Sequence, residues 1–217
     1  MWQTPGQRRI TGIRLLQLAV GLLICKVVVG IIWNCRYYFP PDFSSDFLRG
    51  RQSYFFNGYH VAFFAHIVSG PCAMILGLIL LSDTVRRRWP RWHRVLGRIQ
   101  VACVLLIVAP SGLWMSSRAE TGAVAGFGFA ALAIATGTTV AMGWRAAVQR
   151  RFGVHRIWML RCFLLLSSAV VLRLMAGLAT VLSIEGDCIY PASAWLSWLL
   201  PLAAFEVRRV VFNEPRA

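Results

Sequence analysis

Two histidines and a set of arginines hold most of the chemistry that this sequence offers. "WHRVLGR" places His93 before Arg94 and Arg98, and "FGVHRIWMLR" places His155 before Arg156 and Arg161, each at the start of a long apolar run. Imidazole is a ligand for haem iron and transition metals, and guanidinium pairs with carboxylates, phosphates and propionates. An ionised side chain inside hydrocarbon costs at least about 2.5–3.5 kcal/mol on insertion scales and is as a rule paired or functional. Lys26, Arg161 and Arg173 lie within apolar runs, so each either snorkels or binds backbone carbonyls, or meets an anionic ligand such as a haem propionate or a lipid phosphate. Among the 8 acidic residues, only Glu206 has a depth that suits an intramembrane arginine. It matches Arg161 better than Arg173 or Lys26.

Hydropathy supplies the elements that must position these groups. Of the 217 residues, 58% are apolar and 14% charged, and the mean hydropathy of +0.61 lies outside the range of soluble domains. A hydrocarbon core of about 30 Å takes about 20 residues of helix. Six stretches meet that length, near 13–34, 58–82, 95–117, 121–144, 157–183 and 189–207. The expected fold is all-α, a polytopic bundle of six transmembrane helices forming a single membrane domain over 1–217. Arg8, Arg9 and Arg14 could introduce a signal peptide, but Ile13 to Trp33 exceeds an h-region of about 7–15 residues. No small-x-small site precedes "CRYYFPPDF", so a retained first span is expected.

The arginines set the orientation, because positive residues stay on the cytoplasmic side of short loops. Alternating the loops puts 16 arginines on one side and four (Arg36, Arg49, Arg51 and Arg118) on the other. Both termini are thereby expected in the cytoplasm of a bacterium, with the chain in its inner membrane. The basic excess that gives a pI near 11.1 is then a topology signal. No nucleic-acid partner is expected, since no zinc finger, helix-turn-helix or aromatic-basic RNA motif accompanies it. "RRRWPRWHR" suits anionic headgroups at the bilayer surface. The longest stretch outside the spans, about Cys35 to Asn57, is rich in aromatics and unlike a flexible linker. Cys35 and Cys188 share the outer side, where an oxidising compartment permits a disulfide between them. Cys72, Cys103 and Cys162 lie in spans and suit packing as small apolar groups.

Depth relates the candidates to one another. His93 and His155 fall at the cytoplasmic ends of spans three and five, which run in the same direction, so the two imidazoles share one level. Arg173 follows His155 by 18 residues, a whole number of turns, which puts both on one helix face about 27 Å apart. His66 lies about nine residues into span two from the outer side. Small residues mark close helix approach: Ser69, Ala73 and Gly77 in span two, and Gly122, Gly126, Ala133 and Gly137 in span four. The glycines of "GAVAGFG" follow no soluble strand and carry no dinucleotide fingerprint. "HRVLGR" and "HRIWMLR" echo one another. As a two-hairpin repeat they would make spans two to five a pseudo-symmetric core, with spans one and six at its periphery.

"AHIVSGPCAMILGLILL", followed by "WHRVLGRI" and "HRIWMLR" and a later Arg173, resembles the bacterial multi-pass membrane family catalogued as domain of unknown function 2306. The likeness extends from about Tyr37 to Glu206. It takes in His66, His93, Arg94, Gly97, Arg98, His155, Trp158, Met159, Arg161, Arg173 and Glu206, and does not include His60. It implies a membrane bundle and supplies no activity. The architecture is also similar to cytochrome b561-type bundles, which use two histidine pairs. Here span four has no histidine and His60 and His66 share span two, so at most one bis-histidine site is available, through His93 and His155. Motifs for hydrolysis, H-E-x-x-H and G-x-S-x-G, are absent, and no catalytic residue is assigned. Two functional readings follow. One is a ligand-binding membrane redox component that carries b-type haem or engages quinone, with His93, His155, His66, Arg161 and Arg173 at the cofactor. The other is a non-enzymatic membrane protein that binds lipid or a partner subunit, or transports a small solute.

Overall fold

A computed structural model describes residues 5–45, 47–184 and 186–212, with the side chains of 5–17, 19, 20 and 35 outside that description. The described residues form helices joined by turns, with one isolated bridge between Tyr38 and Pro41 and no strand among them. They divide into two compact units, Met1–Arg49 and Gly50–Ala217.

The first unit is built on α1, Pro5–Asn34, whose portion Gly21–Asn34 is apolar. Lys26 is exposed on it. A tight turn at Cys35–Tyr37 leads into the aromatic segment, where Tyr38 meets Phe47 edge-on at 6.5 Å. Asp42 accepts bonds from the Ser44 backbone N–H at 2.9 Å and the Ser44 hydroxyl at 2.6 Å. These bonds to the ionised form hold its carboxyl below the usual carboxylate range.

The second unit contains α2 (Gln52–Leu80), α3 (Asp83–Arg88), α4 (Pro90–Ser116), α5 (Ala123–Val148), α6 (Phe152–Val181) and α7 (Ile189–Val211). Four of these, α2, α4, α5 and α6, are long and apolar enough to cross a membrane. Against six expected spans, α1 contributes a shorter apolar stretch. The α7 helix is long enough, but Pro191, Ser193, Trp195, Ser197, Trp198 and Pro201 dilute its hydropathy. The helices α2, α4 and α6 also begin earlier than the apolar runs, because interfacial residues continue the hydrogen-bonded spiral beyond the hydrocarbon. His93 and His155 therefore lie inside the first turns of α4 and α6.

Local chemistry explains the breaks. Pro90 opens α4, where a missing N–H costs nothing. Gly122 takes φ +86° before α5, a conformation that suits glycine. Pro110 has no N–H to give to the Leu106 carbonyl and its ring pushes that carbonyl aside. A wide π-helical turn at Val104–Val108 sits just before it.

In the second unit α2, α4, α5 and α6 pack as a ring in that order, each against its two neighbours. Across the ring, α4 and α6 touch at most marginally, as do α2 and α5. The centre is a cluster with a contribution from every member: Ala73, Val104 with Val108, Val140 and Cys162. Cys162 thus packs as a small apolar group, whereas Cys103 is half-buried and Cys72 is exposed. The α7 helix packs against α5 and α6, with Trp195 donating its indole N–H to the Val124 carbonyl at 3.0 Å.

Small residues permit the close approaches. Ser69, Ala73 and Gly77 are all buried on α2. A methyl group on Gly77 would lie 3.0 Å from the Phe163 ring, and one on Gly143 would lie 2.7 Å from Met159 Sδ. Without a hydrophobic drive between helices in lipid, such contacts and buried hydrogen bonds supply the association.

Candidate functional site

The arginine-rich end of the ring holds the two histidines. His155 Nδ1 donates to the Gly143 carbonyl oxygen at 2.8 Å. A carbonyl only accepts, so Nδ1 carries the hydrogen, and in the neutral ring Nε2 keeps its lone pair for a ligand. Metal-ligating histidines are commonly oriented in this way. His93 stands on the diagonally opposite helix, half-buried, with its Nδ1 enclosed and without a partner among the described residues. His155, Arg86 and Arg94 lie within electrostatic range of it.

Arg161 and Glu206 meet as their depths require. The guanidinium donates through Nε to Oε1 at 2.6 Å and through Nη2 to Oε2 at 3.1 Å, a two-pronged pair that joins α6 to α7. Arg209 also reaches Glu206 Oε2 at 3.2 Å, and the Arg161 guanidinium lies 4.3 Å from the Trp158 ring centre. Arg161 is thus engaged by a carboxylate of its own chain. Arg173 donates to the Ala169 carbonyl at 2.9 Å on an exposed face. Arg94 is exposed. Arg98 is also exposed, at the rim of an open groove of about 470 Å³ walled by Val101, Ala102, Leu105, Leu106 and Trp144.

His66 belongs to a different level. The Ser111 hydroxyl donates to the Ile107 carbonyl at 2.5 Å and accepts from His66 Nδ1 at 3.1 Å. His60 Nδ1 lies 3.1 Å from the Phe55 carbonyl oxygen, to which it donates. Among the described residues no group of three or more His, Cys, Asp or Glu side chains is arranged to hold a metal ion. Cys188 is exposed and unpaired among the described residues. The side chain of Cys35 lies outside them.

Two features are invisible in sequence patterns. Gln100 on α4 is 1% exposed and donates from Nε2 to the Ala73 carbonyl at 3.0 Å. At the opposite end Arg51 is 4% exposed. It donates to the Arg118 carbonyl at 2.8 Å and to the Tyr54 hydroxyl at 3.0 Å, and reaches Glu120 at 3.8 Å. Arg51 lies in a loop-like stretch, where hydropathy gives no sign that a charge will be buried.

A family model described as "Predicted membrane protein (DUF2306)" matches residues 63–207. It takes in every candidate from His66 to Glu206 and begins later than Tyr37. No curated protein and no solved structure matches the chain.

Proposed function

The chain belongs to the DUF2306 family of predicted membrane proteins, and from that premise we propose that it is a membrane redox component holding one b-type haem between His93 and His155. The observation that carries the reading is the pair itself. The two imidazoles belong to diagonal helices and lie within electrostatic range of one another. One is oriented through Nδ1 by Gly143, and the other has an enclosed nitrogen that lacks a protein partner. A haem between two histidines supplies reversible one-electron chemistry. The chain's own residues would orient the rings, exclude water from one face, and offer Arg94 and Arg98 to carboxylates at the membrane surface. Arg161 is engaged by Glu206 and His66 by Ser111, so the reading rests on His93 and His155.

The proposal includes six spans in a bacterial cytoplasmic membrane with both termini inside, supported by the 16-to-4 division of arginines. A quinone would be the natural lipid-soluble electron partner of such a component.

Absorption spectroscopy tests it. Protein from haem-replete cells should show a Soret band and, after dithionite, resolved α and β bands. His93→Ala and His155→Ala should each abolish the low-spin spectrum. A colourless preparation refutes the redox reading and favours the second one, a lipid-binding membrane protein, for which the Arg98 groove with its apolar wall is the supporting observation.

A further inference from the structure

We infer that the open groove between α4 and α5 holds one anionic phospholipid, with its phosphate on Arg98 and an acyl chain along the apolar wall. Arg98, Val101, Ala102 and Leu105 succeed one another at i, i+3, i+4 and i+7, one face of α4, and Trp144 forms the other side from α5. Ala102 adds only a methyl group to its side, and Leu105 and Leu106 belong to the wide turn at Val104–Val108. The space between is about 470 Å³.

The charge balance calls for an anion from outside the chain. At the arginine-rich end the described acids are Asp83 and Glu206, and both are taken. Asp83 meets Arg86 and Arg156, and Glu206 meets Arg161 and Arg209. Arg98 has no ion pair or hydrogen bond among the described residues. It lies three residues inside the span expected from position 95, about 4.5 Å deep along the helix. A charge at that depth needs a partner, and a lipid phosphate is within reach of a long, snorkelling side chain. The planar guanidinium fork matches two phosphate oxygens. Trp144 is 39% exposed, and its indole N–H, without an acceptor among the described residues, is a second donor at the interface.

These features select the occupant. Free phosphate would leave the apolar wall unused. A zwitterionic lipid brings a cation with its phosphate, which the excess of arginines at this end disfavours, whereas an anionic headgroup is attracted by it. The inference goes beyond the haem reading and does not depend on it. Arg98 is turned about 140° round α4 from His93, so the groove and the histidine pair occupy different faces of the helix. In a haem-bearing protein Arg94, one turn nearer the surface, meets the carboxylate and Arg98 the lipid.

Native mass spectrometry of the full chain, released from detergent with equal amounts of phosphatidylglycerol and phosphatidylcholine, tests it. Phosphatidylglycerol should be the first lipid retained, by about tenfold over phosphatidylcholine, and Arg98→Gln should remove roughly that factor. Ala102→Phe fills the groove from an exposed position and should lower the binding of both lipids. Arg208→Gln, exposed on α7 at the same end, should leave binding as it is. Equal retention of the two lipids, unaltered binding in Arg98→Gln, an equal loss in Arg208→Gln, or a dimer free of lipid overturns the inference. A colourless protein that retains phosphatidylglycerol in this way refutes the haem reading alone. A haem-bearing protein without the preference refutes this inference alone.

Discussion

Replacing Glu206 by glutamine preserves its shape and removes the charge that two guanidinium groups share. The Arg161 side chain is 15% exposed and that of Arg209 is 6% exposed, while the Glu206 side chain keeps 37%. Removing one partner of a fully buried pair costs about 3–5 kcal/mol. The exposed edge of Glu206 lets water solvate what remains, so about 2–3 kcal/mol is expected. Arg161→Met should cost less, about 1–2 kcal/mol, because Glu206 keeps Arg209. Independent losses would give about 4 kcal/mol in the double variant, whereas coupled ones should give about 2–3 kcal/mol. Unfolding of the four proteins in mixed micelles of rising SDS content measures the cycle. Additivity to within about 0.5 kcal/mol would show that the 2.6 Å contact contributes no coupling, and would refute the claim that it fastens α7 to α6.

Gly143→Val should destabilise the protein by about 1–3 kcal/mol through overpacking against Met159 and Trp158. The same variant should perturb the His155 environment, visible as a changed imidazole signal by NMR; an unaltered stability and signal would contradict the close α5–α6 contact. The proposed Cys35–Cys188 bond predicts four thiols before reduction and six after, counted in denaturant on protein isolated with an alkylating agent. Six at both stages would exclude it.

The helical, membrane-type architecture is legible because about 20 consecutive apolar residues leave few other fates for a chain, and four of the six expected spans coincide with helices long and apolar enough to cross a membrane. The Arg161–Glu206 pair is legible from the scarcity of acids at depth. Gln100 makes no pattern in the sequence, because an amide that bonds a backbone carbonyl of another helix shows itself only once the helices are placed side by side. The Arg51 cluster escaped for a similar reason: its partners, the Arg118 carbonyl and Glu120, belong to a turn more than sixty residues away. The wide turn at Val104–Val108 had its cause in plain view at Pro110, yet which neighbouring carbonyls would yield depends on the packing of α4.

The ring of α2, α4, α5 and α6 has the kinematics of a four-bar frame. Its sides are set by close helix contacts, while the diagonals meet only through the central cluster of Ala73, Val104, Val108, Val140 and Cys162. In such a frame, shortening one diagonal lengthens the other. Drawing α2 toward α5 would spread α4 from α6 and with them His93 from His155. That central cluster fills the middle of the frame and limits such a motion.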